Sequence, residues 1–450
     1  MNVRRFVWEK RLSLKWKTLP YVEYLRKNQW LSANKIERIQ QEKLTKLLQH
    51  AYRHTTYYQK LFKECGVIDS GGNVRLKRFH AIPFLEKEIL QQNFSEMQSN
   101  DLAKRSWYLN STGGSTGVPT RFIQDQEYFS WNQATKTLYD EWTGRFATDK
   151  QIRLWGSDQG LLEGKKVKTQ FGRWLRNERW FNCLQMTDDQ RSRCIRQINT
   201  FQPVQILAYV EPLYELARLC EREGHTVFSP KAIMTSAGTL YPHMRDTIER
   251  VFRTKVYNRY GSTEVGDMAC ECEKHEGLHL SAFTHIIEII RPDGTLTEPG
   301  EVGEIVVTLL VNDAMPLIRY RIGDMGAWSK KPCSCGRGLP LLQEVTGRVT
   351  DMFIDKKGRW IDGRLFLFAL DSKEYVRKFQ VIQETQDSIR IPIILADRGI
   401  NPAQAYQKEL EQIKRDIQKV MDCHVTFEFC DHIMSTPSGK YRYTISHAKR

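Results

Sequence analysis

The sequence predicts an α/β protein in two parts: a large N-terminal domain over residues 1–347 and a small α+β domain over 348–450. Three observations carry this. From Gln151 to Asn258, short apolar runs alternate with helical periods, the pattern of βα units that build a parallel sheet covered by helices. Past Gly277 the runs read as strands only, with no helical period between them. The last hundred residues read strand, strand, helix, strand, a module small enough to form a separate unit.

Taken in order, residues 1–65 read as helical, and Ile36, Ile39, Lys43, Leu44, Leu47, Leu48 and Ala51 fall near one helix face. An irregular stretch with Gly71-Gly72 and Ile82-Pro83 follows, then a polar helix. Asp125 to Trp142 is a helix whose aromatics Tyr128, Phe129, Trp131, Tyr139 and Trp142 suit a core better than a binding site. The alternating region gives strands at Ile152–Trp155, Val204–Tyr209, Ala232–Thr235 and Lys255–Asn258. Helices are expected at Pro212–Arg222 and Leu240–Phe252. The β-rich part, 265–347, contains the strands His285–Ile290 and Glu304–Leu310, with turns at Asp293-Gly294 and Pro299-Gly300. It reads as a distorted barrel or a small antiparallel sheet. The C-terminal module has strands at Val376–Glu384, Ser388–Leu395 and Val425–Phe429 and a helix at Pro402–Met421.

Composition limits the function classes. A chain of 450 residues with 40% hydrophobic and 11% aromatic residues can bury a large core. No apolar run is long enough to span a bilayer, and the basic start lacks the apolar stretch of a signal peptide, so a cytoplasmic protein is expected. Ten cysteines in so long a chain are not a disulfide framework. The formal net charge of +15 is spread along the chain, with clusters at Arg4–Lys17 and Gly164–Arg179. Most of this is solvated surface, and no specific nucleic-acid partner is indicated. Lys165, Lys166 and Lys168 leave open a peripheral contact with a lipid headgroup or another polyanion. Oligomeric state is not set by the sequence.

The most informative stretch is Ser111-Thr112-Gly113-Gly114-Ser115-Thr116-Gly117-Val118-Pro119-Thr120-Arg121. Glycines let a ligand approach the backbone, and hydroxyls and freed N–H groups then face it, which suits an anion such as phosphate. No Gly-Lys-Ser/Thr ends the stretch, so it is not a Walker A loop. A parallel sheet binds ligands at the carboxyl ends of its strands, where Ser236-Ala237-Gly238-Thr239 and Tyr260-Gly261-Ser262-Thr263-Glu264 lie.

With Tyr320-Arg321-Ile322-Gly323-Asp324, Gly347-Arg348-Val349-Thr350-Asp351 and Gly439-Lys440, these segments fit one known pattern in order. The chain resembles the adenylate-forming superfamily, and within it the phenylacetate–CoA ligase family, over nearly its whole length. The Gly113-Gly114 loop, Arg153-Leu154-Trp155-Gly156 and the Gly358-Arg359 turn look most like the branch named for capsular polysaccharide biosynthesis. The resemblance implies that a small-molecule carboxylate reacts with ATP to give acyl-AMP and pyrophosphate. The acyl group then passes to CoA or another acceptor. It further implies that Thr112, Gly113, Gly114, Ser115, Thr116 and Gly117 hold the β- and γ-phosphates, with Glu264 on Mg²⁺. Ser236, Ala237 and Gly238 would line the adenine, and Tyr260, Gly261, Ser262 and Thr263 complete the ATP site. Asp324 would take the ribose hydroxyls, and Arg348 would approach the ribose or phosphate. Lys440 would bridge the substrate carboxylate and α-phosphate, and Asp351 would be the hinge of a mobile small domain. The residues after Asp351 depart from the CoA-ligase pattern, and Thr120-Arg121 replaces a lysine common after the loop proline.

Cys270-Glu271-Cys272, Gly277-Leu278-His279 and Cys333-Ser334-Cys335-Gly336 supply thiols and an imidazole in a number that suits structural zinc. By resemblance the ligands are Cys272, His279, Cys333 and Cys335, with Cys270 the spare candidate. Two further readings stay open: transfer of AMP itself onto a substrate, and a non-catalytic nucleotide- or polyanion-binding protein on the same fold.

Overall fold

The computed structural model describes Val7 and residues 18–69, 71–112, 120–156, 167–183, 186–348, 352–356, 360–367, 370, 373, 375–395, 406–433 and 441–448. The chain divides into two compact units, Met1–Thr346 and Gly347–Arg450.

The first unit opens with helices α1 (Leu19–Asn28), α2 (Ala33–His54), α3 (Thr56–Glu64) and α4 (Lys87–Gln92). Helix α2 buries Ile36, Leu44, Leu47, Leu48 and Ala51, the stripe its period predicts. Lys43, on the same face, reaches inward. Its Nζ donates to the Phe283 carbonyl at 2.7 Å and lies 3.8 Å from the centre of the Trp131 ring. Strands β1 (Trp107–Ser111) and β2 (Arg121–Asp125) pair antiparallel around the Ser/Gly stretch and lead into α5 (Gln126–Trp142). Asp125 caps α5 by accepting from the Tyr128 N–H at 2.9 Å. Tyr128, Trp131, Tyr139 and Trp142 are buried, as a core helix requires.

Next come β3 (Gln151–Leu154), α6 (Val167–Leu175), β4 (Glu178–Phe181), α7 (Asp188–Phe201), β5 (Gln205–Tyr209), α8 (Val210–Glu223), β6 (Ala232–Ser236), α9 (Pro242–Phe252) and β7 (Val256–Ser262). All these strands pair parallel, in the spatial order β4-β3-β5-β6-β7. The direction of winding reverses between β3 and β5, so the crevice beyond their carboxyl ends is the topological switch point.

The antiparallel part is not a separate sheet. It continues from β7 through β8 (Gly266–Glu271), β9 (Leu278–Leu280), β13 (Leu341–Arg348), β12 (Tyr320–Trp328), β11 (Gly303–Leu309) and β10 (His285–Ile290), making one 11-stranded sheet. Strand β7 works both ways because its first half pairs parallel with β6 and its second half antiparallel with β8. Strand β8 has no run of β-branched residues to announce it.

In the second unit, β14 (Met352–Ile354) pairs with β15 (Trp360–Asp362). The run expected as one strand over 376–384 is two, β16 (Val376–Phe379) and β17 (Val381–Thr385), lying along successive parts of β18 (Ser388–Leu395). The break at Gln380 has a physical cause. Gln380 N–H donates to the Pro392 carbonyl at 3.1 Å, but Pro392 has no N–H to return the bond. Helix α10 (Gln407–Val420) buries Leu410, Ile413 and Ile417. It begins later than the expected Pro402, and residues 401–405 lie outside the described ones. Strands β19 (His424–Phe429) and β20 (Thr444–Ser446) complete the sheet by parallel pairing with β18 and β17.

Candidate functional site

The described ends of the Ser/Gly stretch, Ser111-Thr112 and Thr120-Arg121, belong to the β1–β2 pair and its continuation. The neck is closed twice: Thr112 N–H donates to the Thr120 carbonyl at 3.0 Å, and Thr120 N–H donates to Thr112 Oγ1 at 3.2 Å. The Thr112 hydroxyl thus helps shape the loop. Arg121 pairs with Ser111 at the hairpin base, where it is exposed and its guanidinium lies over the Phe94 ring. Gly113, Gly114, Ser115, Thr116 and Gly117 lie outside the described residues, as do Asp351 and Lys440.

The carboxyl ends of β6 and β7 carry the next segments. Ser236 ends β6 buried, and Ala237 follows at φ +62°, a left-handed conformation unfavourable for a residue with a Cβ. Gly238 is exposed, and a Cβ there would touch Val210 at 3.4 Å. In β7, a bulge falls between Tyr260 and Gly261. A Cβ on Gly261 would come within 2.7 Å of the Gly266 carbonyl oxygen, so only glycine permits this close crossing of β7 and β8. Ser262 Oγ accepts from Val265 N–H at 3.4 Å and shapes the turn through Thr263 and Glu264.

Two side-chain contacts gather these distant segments. Gln124, on β2 just beyond the loop, donates from Nε2 to the carbonyls of Thr263 and Glu264 at 3.0 and 3.1 Å. Tyr260 Oη donates to Asp324 Oδ2 at 2.8 Å. Tyr260 is on β7 and Asp324 on β12, four places away in the sheet. A flat sheet would separate them by about 19 Å. The contact therefore requires this half of the sheet to curl, and the curl carries Asp324 to the strand tips. Gly323, at φ +79°, precedes it. The neighbouring Arg321 is committed elsewhere, to Glu86 at 3.0 Å and Glu304 at 3.6 Å. Arg348 ends β13 exposed, and the Glu264 side chain is half-buried.

At the switch point the rings of Trp155 and Tyr209 meet with centroids 4.5 Å apart, and Tyr209 Oη donates to the Gly156 carbonyl at 3.0 Å. Gln124 carried no signal in the sequence, because nothing local distinguishes a glutamine that reaches another segment from one that faces water.

A second constellation lies where β8 and β9 meet the loop before β13. One ligand atom each from Cys272, His279, Cys333 and Cys335 falls within 4.8 Å of the others. Cys272 Sγ is 3.6 Å from Cys333 Sγ, and Cys335 Sγ is 3.3 Å from His279 Nε2. A tetrahedral zinc with arms of about 2.3 Å to sulfur needs edges of about 3.8 Å. Main-chain N–H groups of Lys274 and Arg337 donate to the sulfurs of Cys272 and Cys335, at 3.5 and 3.4 Å. Burial and the nearby Arg337 push the His279 pKa down to about 4, so the ring is neutral and able to ligate. Burial raises the Cys272 and Cys333 thiols. At Cys335, burial is outweighed by the Arg337 backbone N–H and guanidinium, which hold the thiol below its usual range. Cys270 is fully buried, stands outside this group, and has its thiol pushed well up by burial.

Residues 353–447 match the CapK C-terminal domain family. The chain is 23% identical to Protein CapK of Staphylococcus aureus over 424 residues, covering 92% of this chain and 90% of that protein. It is 24% identical to the phenylacetate–coenzyme A ligase of Thermus thermophilus over 378 residues, 80% of each. The solved structure of 2-hydroxyisobutyryl-CoA ligase in its postadenylation state superposes with a TM-score of 0.72 at 18% identity, covering 93% of this chain and 90% of that one. This last likeness is one of fold; in sequence, the chain is similar over most of its length to CapK and to phenylacetate–CoA ligases.

Proposed function

We propose that this protein is an adenylate-forming ligase that activates a carboxylic acid with ATP. A carboxylate oxygen attacks the α-phosphorus, the bond from that phosphorus to the pyrophosphate oxygen breaks, and acyl-AMP and pyrophosphate result. What supports the reading most is that Gln124 and Tyr260 draw the loop base, the 263–264 turn and Asp324 together at the strand tips. Such a reaction depends on positioning and charge neutralisation more than on covalent chemistry by the protein.

In this reading the loop of Thr112 to Gly117 holds the outgoing phosphates, and Glu264 holds Mg²⁺, a cation that takes carboxylate and phosphate oxygens. Ser236, Ala237 and Gly238 line the adenine. Asp324 takes the ribose hydroxyls. The bond from Tyr260 fixes the orientation of this carboxylate. Gly261, Ser262 and Thr263 shape the turn, and Arg348 approaches the ribose or phosphate. Lys440 screens the repulsion between the incoming carboxylate and the α-phosphate, and Asp351 is the pivot of a C-terminal domain over 348–450. The acyl group then passes to CoA or another acceptor. The relation to CapK favours a biosynthetic setting for capsule or exopolysaccharide. Cys272, His279, Cys333 and Cys335 would hold a structural zinc, whose bonds would tie the β8–β9 turn to the loop before β13.

Pyrophosphate exchange into ATP over a panel of carboxylic acids, with and without CoA, tests the activity. Lys440→Ala is expected to abolish exchange while ATP still binds; undiminished exchange in that variant removes the role assigned to Lys440.

A further inference from the structure

Helix α5 packs on the large sheet against β8, where apolar packing is the rule. Yet Asn132, Lys136 and Asp140, four residues apart along one face, point polar groups at the strands. Asn132 Oδ1 accepts from Asp267 N–H at 3.1 Å, and Asp140 Oδ1 accepts from Gln205 Nε2 at 3.2 Å. Lys136 Nζ lies 3.7 Å from Asp267 Oδ2, beyond hydrogen-bond length. Arg259 comes up to the same carboxylate from β7, with Nε 3.2 Å from Oδ1. Its N–H does not point at that oxygen, so the buried Nε makes no hydrogen bond among the described residues. The Arg259 side chain is only 10% exposed.

Two cations thus share one buried carboxylate, Lys136 at long range and Arg259 with its Nε–H misdirected. Lys136 is crowded by protein atoms, and this desolvation, with Arg259 and Arg153 nearby, lowers its pKa despite Asp267. At the same time 39% of its side chain is open to solvent. Lys136 thus stands beside Asp267 and Arg259 and is partly open to solvent. This pair of cations lies beside the switch point, because the Arg259 guanidinium is 5.7 Å from the centre of the Trp155 ring, which meets Tyr209.

Successive residues of a strand face opposite ways. Tyr260 faces Asp324, so Arg259 faces the other side, toward Trp155 and α5. An acid whose reacting carboxylate meets the nucleotide at the strand tips can therefore lay its far end along the Arg259 side. Two cations against one carboxylate leave a net positive charge, which attracts an anion there. Resting on the adenylation reading above, we propose that the acid substrate carries a second anionic group, which binds between Lys136 and Arg259 beside the Trp155–Tyr209 pair.

The test is pyrophosphate exchange by the full chain with matched acids: malonate, succinate and glutarate against propionate, butyrate and pentanoate, with phosphonoacetate and 3-phosphonopropionate as the phosphonate arm. The expected result is a kcat/KM at least about tenfold higher for acids with the second anion. The two arms tell a carboxylate from a phosphonate. Lys136→Met is expected to collapse that ratio to near one, and Lys136→Arg to restore it; a merely structural lysine would lower both series alike. Exchange that runs equally well or better on the monocarboxylates overturns this inference and leaves adenylation standing. Exchange with neither series, nor with any other carboxylic acid, overturns both.

Discussion

Two buried charge clusters in the first unit look alike on paper and differ in their bonding. Arg319 and Glu288 are 4% and 6% exposed and are joined by two parallel bonds of 3.0 and 2.9 Å. Arg319 also donates to the His80 and Ile82 carbonyls and lies over the Phe84 ring, while His80 Nδ1 meets Glu288 Oε1 at 3.0 Å. Both its charge and its donors are met. Around Asp267, by contrast, one carboxylate faces two cations, Lys136 stands 3.7 Å off and Arg259 Nε is left without a hydrogen bond among the described residues. A buried ion cluster that is complete holds two segments in register, here the 80–82 turn against β10 and the start of β12. One that is incomplete destabilises the protein slightly unless something else completes it.

The comparison can be broken by mutation. Arg319→Leu strands the Glu288 carboxylate in the interior and is expected to cost about 3–5 kcal/mol by urea unfolding. A loss below about 1 kcal/mol would show that the complete cluster holds nothing together. Stripping metal should come next. A zinc bound by Cys272, His279, Cys333 and Cys335 and present at a hundred times its Kd adds roughly 2.7 kcal/mol, so chelation or Cys335→Ser is expected to lower Tm and the metal content together. Metal analysis that finds no zinc in the parent protein removes this expectation.

Lys43 stands between the two clusters, with a carbonyl acceptor and an aromatic face but no carboxylate in contact. Burial lowers its pKa from 10.5 to about 8. Below about pH 8 both folded and unfolded chains hold the proton and the penalty is complete. Between there and 10.5 the unfolded chain binds more protons, so stability rises with pH across that window. Lys43→Met is expected to flatten the rise, on the order of 1 kcal/mol, in melts taken from pH 7 to 10. The smallest effect on stability belongs to Lys136→Met, which should leave unfolding unchanged or slightly improved, the opposite sign to Arg319→Leu. A large loss there would make Lys136 a structural residue and erase the contrast.

Much of the fold was legible because its signals are local. The apolar stripe of α2, the parallel strands β3, β5, β6 and β7 that alternate with helices, and the strong runs of β10 and β11 each announce themselves within a dozen residues. The breaks came where a partner decides. Whether 376–384 is one strand or two depends on Pro392 opposite it, and β8 is a strand because β7 turns onto it.

The sequence by itself determined which chemistry-bearing segments exist and in what order, from the Ser/Gly loop through Tyr260–Glu264 and Asp324 to Lys440, because glycine, hydroxyl and carboxylate residues carry their chemistry wherever the chain puts them. It also marked Cys272, His279, Cys333 and Cys335. Only the tertiary structure decided which of these meet. The curl of the sheet brings Tyr260 onto Asp324, Gln124 ties the loop base to the 263–264 turn, and Lys136 and Arg259, ordinary basic residues in the sequence, converge on one buried aspartate. The physical reason is range: periodicity and turn chemistry act over a few residues, whereas charge balance and hydrogen-bond completion depend on neighbours that can be 64 or 139 positions away.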